Sequence, residues 1–149
     1  MKAHWKIINK IDSINLIQIE KIINEFGWLG KDIIGTKGNA TLFLVIQHSN
    51  QKTLEKYLPV MRDAVKNGKA YPSDLALLED RVALGQGKKQ IYGSQIITDD
   101  KTKKPTIAPI ENEEEVDKRR AEVGLEPLAE YVSRWGIKYE PKKSKKIED

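Results

Sequence analysis

The sequence contains no cysteine and no long apolar run, and both absences limit what the protein can be. Without cysteine the chain has no disulfides and no thiolate metal ligands. No apolar run approaches the ~20 residues that a membrane span needs, so we expect no membrane partner. The N-terminal segment MKAHWKIINKID carries a charge in nearly every turn and has no signal-peptide core. Together these features predict a cytoplasmic protein.

Several catalytic motifs are also missing. The sequence has no phosphate-binding G-x-x-x-x-G-K-[ST] loop, and its GQGKK segment follows a predicted helix instead of preceding one. The two histidines lie 44 positions apart, so H-E-x-x-H and H-x-x-x-H are absent. No serine occupies a G-x-S-x-G turn, and the acidic run at 113–115 is most simply a helix N-terminus. We therefore predict no metal site and no cofactor.

Length and charge describe one ordinary domain. The 149 residues are 39% apolar and 32% charged, which suits a single soluble globular domain that we place at residues 1–137. The net charge is +4, and four lysines against two acids in the tail PKKSKKIED leave +2 for residues 1–140. Nucleic acid is an unlikely partner, because a basic stripe on one face would be expected. Residues 138–149 are predicted to form a flexible basic tail.

Apolar periodicity predicts the first helices. DSINLIQIEKIINEFG reads as an amphipathic helix that is capped by Asp12 or Ser13 and ends at Gly27. GWLGKDIIGTKGNA is a glycine-rich connection with room for one short helical turn. ATLFLVIQH is apolar all round and therefore buried; its β-branched residues allow a strand, whereas its flanks and length favour a central helix. QKTLEKYLPVMRDAVKNGK is a further helix that Pro59 should kink or divide.

The second half of the chain predicts a mixed fold. YPSDLALLEDRVALGQG is a helix that starts at Pro72 and stops at Gly85 or Gly87. Residues 89–110 alternate and are β-branched, and TDDKTKKP looks like a hairpin loop. NEEEVDKRRAEVG and PLAEYVSRWG are two more helices. The predicted fold class is therefore α+β and mostly helical, with five or six helices and one small antiparallel hairpin or sheet near residues 89–110.

Polar residues in apolar surroundings identify the candidate site. Gln47 and His48 directly follow the apolar LFLVI, where an unpaired amide or imidazole would cost ~1–3 kcal/mol if buried. They are either a satisfied helix end or groups that border a wet cavity. Histidine also suits a general base, since its free pKa of ~6.5 lies near working pH. Asp80 and Arg81 lie beside the core stripe of their helix. They either form structural ion pairs with charged residues on other elements or belong to a site.

The QIYGSQ segment adds amide and phenol groups. If residues 90–95 form a strand, Gln90 and Tyr92 share one face and Gln95 lies on the other, unless a bulge at Gly93 shifts the register. Ordinary hairpin bonding by the glutamines is the alternative to a pocket.

Arg119 and Arg120 lie on or beside the buried stripe of the next helix. A buried arginine must be paired, with Asp80, Glu130 or an anionic ligand as the candidate partners.

Four segments resemble an uncharacterised bacterial family, a domain of unknown function. They are FGWLG, VIQHS, LEDRVALGQGKKQIYGSQ and VDKRRAEVGLEPLAEY. The last three contain the family's Q-H, D-R-V, Q-x-Y-G-[ST]-Q and R-R-x-x-x-G-L segments. The resemblance spans roughly residues 5–131. Leu29 stands where proline is commoner in the family, and Ser94 stands where threonine is commoner. The resemblance implies a domain and a list of site residues, and it carries no activity.

These residues leave three functions open. The first is a small-ligand binding domain for a polar or anionic molecule, nucleotide-like or phosphorylated. Its expected ligand contacts are Gln47, His48, Arg81, Gln90, Tyr92, Gln95, Arg119 and Arg120. The second is a metal-independent hydrolase or transferase at the same place, with His48 as general base and Asp80 as its orienting acid. The third is an interaction module that binds a protein partner or a second copy of the chain.

Overall fold

The computed structural model describes residues 2–142, with side chains from residue 6 onward, and it confirms the predicted fold class. Within residues 2–142 the chain forms six α-helices and one two-stranded antiparallel sheet. None of these helices combines the length and apolarity that crossing a membrane requires. The chain divides into two compact units between Leu75 and Ala76, inside the fourth helix. The expected single domain over residues 1–137 stays a prediction.

The first helix, α1, spans Lys2–Phe26 and starts ten residues earlier than the sequence predicted. The predicted cap at Asp12 or Ser13 is wrong because residues 2–11 contain neither proline nor glycine and continue the helical backbone. Ser13 instead donates its hydroxyl to the Asn9 carbonyl, 2.8 Å away and one turn back. The helix ends at Gly27 as predicted, where φ is +72°.

The second helix, α2, spans Lys31–Gln47, and the apolar segment at 40–47 is helical. Gly35 interrupts it with φ 73° and ψ 169°, so a single turn precedes the main part. This agrees with the predicted short turn inside a glycine-rich connection. The buried Asn39 of α2 donates to the Leu29 carbonyl at 2.9 Å and to the Lys69 carbonyl at 2.7 Å, which ties two loops to the helix.

The third helix, α3, spans Gln51–Lys66 and runs continuously through Pro59, which therefore does not divide it. Asn50 caps its start by accepting the Thr53 N–H at 3.0 Å. The buried residues of α3 are Thr53, Leu54, Tyr57, Leu58, Met61 and Ala64. The fourth helix, α4, spans Pro72–Gly85, as the start and stop signals predicted.

The second unit contains the sheet. Strands β1 (Ile96–Thr98) and β2 (Pro105–Ile107) pair antiparallel, with Ile96 opposite Ile107 and Thr98 opposite Pro105. The hairpin loop between them confirms the prediction from TDDKTKKP. A 3₁₀ turn at Glu113–Glu115 leads into α5 (Val116–Glu122), and α6 spans Leu128–Ser133.

One apolar cluster in the core of the second unit consists of the buried residues Ile110, Val116, Leu128 and Val132. Ile137 and Tyr139 pack against this core. Lys142 forms an ion pair with Glu113 at 2.5 Å. Two residues of the predicted tail, Tyr139 and Lys142, therefore contact the unit, and residues 143–149 lie outside the described part of the chain.

Candidate functional site

Residues 90–95, which we call the 90–95 loop, form a turn instead of the expected strand. Gln90 makes an isolated parallel bridge with Ile110, and the chain then bends before β1 begins. Gly93 has φ +72°, a conformation that side chains disfavour. A Cβ there would lie 3.0 Å from Cδ1 of both Ile110 and Leu128, so the loop backbone packs directly on the core. The predicted alternation of faces for Gln90, Tyr92 and Gln95 is therefore wrong.

Asp80 holds the loop from the side of α4. It is 0% exposed. Its Oδ1 accepts the N–H groups of Ile91 at 2.7 Å and Tyr92 at 2.9 Å, and its Oδ2 accepts the Ser94 N–H at 2.9 Å. Three convergent N–H donors compensate the burial of a carboxylate, much as a helix N-terminus does. Both oxygens of Asp80 are thus engaged by the main chain.

Gln90 closes the loop from inside. Its side chain is 0% exposed. Its Nε2 donates to the carbonyls of Gln95 at 3.1 Å and Ala108 at 2.8 Å, and its Oε1 accepts the Gln95 N–H at 2.8 Å. The amide uses its acceptor and its two donors to bond both main-chain groups of Gln95 and the carbonyl of Ala108.

Arg119 and Arg120 project from α5 onto the loop carbonyls. Arg119 donates through Nε and Nη2 to the Ile91 carbonyl at 3.0 and 2.9 Å, and its Nη2 also bonds the Glu111 carbonyl at 2.6 Å. Arg120 is 0% exposed and donates to the carbonyls of Tyr92 at 2.7 Å and Glu126 at 2.6 Å. The two guanidinium groups therefore bond main-chain oxygens where acidic side chains or an anion had been expected.

Tyr131 completes the arrangement, and the sequence analysis did not identify it. Its hydroxyl donates to the Ser94 carbonyl at 2.8 Å. Its ring covers Arg120, whose Cζ lies 4.8 Å from the ring centroid. Burial lowers the pKa of Arg120, and the neighbouring Tyr131 and Asp117 oppose that shift. The sequence feature that marks Tyr131 is its position between Leu128 and Val132, the core residues of α6.

Every main-chain N–H and C=O of Ile91, Tyr92, Ser94 and Gln95 is consequently bonded to a side chain. The five side chains that do this are Asp80, Gln90, Arg119, Arg120 and Tyr131. The side chains that the loop itself presents are different ones. Tyr92 and Gln95 are each half-buried, and Gln95 Nε2 donates to Ser94 Oγ at 3.0 Å.

The electrostatic surroundings of Tyr92 are on balance negative. Burial raises the pKa of its phenol, and Glu79 and Asp80 raise it further, whereas Arg119 lowers it. Arg81, the remaining predicted contact on α4, is half-buried. The hydroxyl of Tyr92 therefore stays protonated near neutral pH and can donate a hydrogen bond.

Gln47 and His48 belong to the first unit. Gln47 is 7% exposed, whereas His48 is exposed and caps the C-terminal end of α2. His48 lines a groove of about 430 Å³ between α1 and the end of α2, which we call the His48 groove. The polar groove-lining residues are Asn9, Asp12, Ser13, Asn15, His48, Ser49 and Asn50, and the apolar ones are Leu16, Leu44 and Val45. Asp12 and Ser13, which the sequence pattern predicts only as a helix cap, line this groove.

Among the side chains from residue 6 to 142, no three of His, Asp and Glu come close enough together to hold a metal ion. The predicted absence of a metal site and of a cofactor stays a prediction. The assignment of His48 and Asp80 as a catalytic pair also stays a prediction.

The protein is small, α+β and mostly helical, and polar side chains of α4, α5 and α6 bond the main chain of the 90–95 loop in its second unit. A family model described as a family of unknown function (DUF6624) matches residues 5–142, and the chain belongs to that family. No curated protein and no solved structure gives a significant match.

Proposed function

We propose that the protein binds a small polar molecule, and that Tyr92 and Gln95 of the 90–95 loop are its principal contacts. The observation that carries this proposal is the bonding of the loop backbone by five side chains. Burying an arginine, an aspartate and a glutamine, with the half-buried Arg119 beside them, costs desolvation free energy, and packed apolar residues often serve stability as well or better. Their use on one short loop is understandable if the loop must present its side chains in a fixed geometry.

A fixed loop favours binding because the protein has already lost the conformational entropy that a ligand would otherwise have to remove. Side chains held on a rigid backbone bind more tightly than the same groups on a mobile one. In this proposal Asp80, Gln90, Arg119 and Arg120 are positioning residues, and they act on the ligand through the loop backbone.

Between the polar and the anionic ligands considered above, the surroundings of Tyr92 favour an uncharged polar molecule. Glu79 and Asp80 raise the pKa of its phenol, which means that they oppose added negative charge beside the oxygen. Arg119 opposes this effect, but its guanidinium also bonds three main-chain carbonyls. A ligand with hydrogen-bond acceptors, such as the base and ribose of a nucleoside or a free sugar, fits these charges better than a phosphate.

Ligand-induced thermal stabilisation tests this proposal. The protein would be screened against nucleosides, nucleotides, sugars and sugar phosphates, and at least one uncharged member should raise the melting temperature. Tyr92→Phe removes only the hydroxyl, and Gln95→Ala leaves the main-chain bonds of the loop in place, so both variants should fold normally and lose the shift. Retention of the full shift in both variants would contradict the assigned contacts, and no shift with any compound would contradict binding.

The His48 groove supports a second candidate, a metal-independent hydrolase or transferase. At about 430 Å³ the groove has the size of a small-molecule site, which is typically ~300–1,000 Å³, and the His48 side chain in its lining is exposed. His48 would be the general base, and Asp12 lies in the same lining. Incubation with the same compound panel and product analysis would test this, with His48→Gln as the inactive variant. Turnover that survives in His48→Gln would exclude the assigned base.

We propose further that the protein is cytoplasmic and that its partner is a small molecule instead of nucleic acid. The absence of cysteine supports the first statement. The modest net charge of +4 supports the second, because phosphate-backbone binding needs a concentrated basic surface.

A further inference from the structure

A second hollow lies in the first unit, where the loop after α1 approaches α3, and we call it the Trp28 pocket. Its volume is about 420 Å³, again within the usual ~300–1,000 Å³ of small-molecule sites. Its lining includes Trp28, Pro59, Val60, Asp63, Ala64 and Lys69. The functions proposed above make no use of this pocket.

Trp28 lines the pocket and carries an unpaired hydrogen-bond donor. The residue is 3% exposed, and its indole Nε1–H is buried without a hydrogen-bond partner among residues 6–142. Buried donors in folded proteins are nearly always paired, so an exception calls for an explanation. An acceptor from outside the chain, reaching this N–H through a small movement of the pocket wall, would supply the missing bond.

Two charged residues of opposite sign line the same pocket. Lys69 and Asp63 are both exposed, so burial does not oppose the charge on either side chain. The main chain of Lys69 is fixed, because its N–H bonds the Ala64 carbonyl at 2.8 Å and its carbonyl accepts from Asn39 at 2.7 Å. The lining therefore combines an ammonium for an anionic group and a carboxylate for a cationic group with a tryptophan whose buried indole N–H is unpaired.

The remaining wall is apolar and comes from Pro59, Val60 and Ala64 of α3. A ligand that matches all of these features carries a carboxylate, an ammonium and a short hydrocarbon part. We propose that the Trp28 pocket binds a free α-amino acid with an aliphatic side chain. Its carboxylate meets Trp28 Nε1–H and Lys69, its ammonium meets Asp63, and its side chain packs on α3.

Isothermal titration calorimetry on the full chain tests the chemistry with three related probes. L-Leucine carries both charges, 4-methylpentanoate lacks the ammonium, and 3-methylbutylamine lacks the carboxylate. Leucine should bind at least about tenfold more tightly than either analogue, since each analogue loses a charge-assisted hydrogen bond. Equal binding of leucine and one analogue would overturn the assignment of a zwitterion, and no binding of any probe would overturn the site.

Variants locate the binding at the pocket. Trp28→Phe keeps an aromatic ring and removes the N–H, so leucine affinity should fall at least about tenfold. Trp135→Phe changes a 41% exposed tryptophan of the second unit and should bind as the parent protein does. Lys69→Met is a second variant on the protein surface that should also weaken leucine binding, and it decides the matter if Trp28→Phe does not fold. Unchanged affinity in Trp28→Phe, or in Lys69→Met when that variant decides, would refute the proposal.

Discussion

Asp80→Asn is the sharpest test of how the 90–95 loop is held. The carboxylate accepts three N–H groups, two at Oδ1 and one at Oδ2. Asparagine has a single acceptor oxygen, so its NH₂ group must face at least one of these N–H donors. The change removes one charge-assisted bond of ~1.5–3 kcal/mol and weakens the other two, which lose the charge. We expect the free energy of unfolding to fall by about 3–5 kcal/mol.

The effect should be local as well as global. Hydrogen-exchange mass spectrometry of a peptide that covers residues 90–95 should show amides that exchange about a hundredfold faster, and urea unfolding should report the loss of stability. Asp99→Asn is the matched control, since Asp99 also accepts from two main-chain N–H groups but lies in the hairpin loop at the surface. A change below about 1 kcal/mol in Asp80→Asn, with unchanged exchange, would refute the reasoning.

Three further predictions follow from the second unit. Gly93→Ala should lower the free energy of unfolding in urea by about 2–4 kcal/mol, because the φ is disfavoured and the new Cβ would lie 3.0 Å from core carbons. Gly124→Ala has a φ of +79° and open space around the new Cβ, so it should lower the free energy of unfolding by only about 1–2 kcal/mol. Equal losses in the two variants would contradict the close packing at Gly93. Arg120→Lys cannot reproduce the two-carbonyl fork and should cost about 2–4 kcal/mol, so a loss below about 0.5 kcal/mol would show the fork to be unimportant. Burial raises the pKa of Tyr139 to about 12, from 10.0, and the charge of Glu113 contributes. The folded state therefore holds this proton more tightly, so stability from this group is constant below pH 10 and falls as the pH rises toward 12. Tyr139→Phe should remove that fall and the last step of the ultraviolet tyrosine titration, and an unchanged titration would assign the shift elsewhere.

The contacts separate two roles among the residues of the QIYGSQ segment. Gln90 and Gly93 build the turn, the first by bonding the main chain of Gln95 and the second by packing on Ile110 and Leu128. Tyr92 and Gln95 are the side chains that the turn presents. The two roles explain why one short segment contains two glutamines, because only one of the two needs to contact a ligand.

The helices and their ends could be predicted from the sequence because their causes are local. Gly27 and Gly87 are predicted stops and both have positive φ, and Pro72 is a predicted start, so each end depends on the conformational limits of one residue. The start of α1 was misplaced because a good cap at Asp12 does not end a helix that its upstream neighbours continue. Residues 90–95 were misread as a strand because alternation was counted without the left-handed turn at Gly93.

What the sequence determined by itself was the α+β class, the hairpin and the presence of polar side chains on apolar stripes. Only the tertiary structure decided which partners those side chains take. Arg119 and Arg120 bond carbonyls of Ile91 and Tyr92, 28 positions away along the chain, and Asp80 reaches N–H groups 11 to 14 positions away. The physical reason is that a main-chain carbonyl has no residue identity, so a sequence pattern cannot show which one a buried guanidinium will meet.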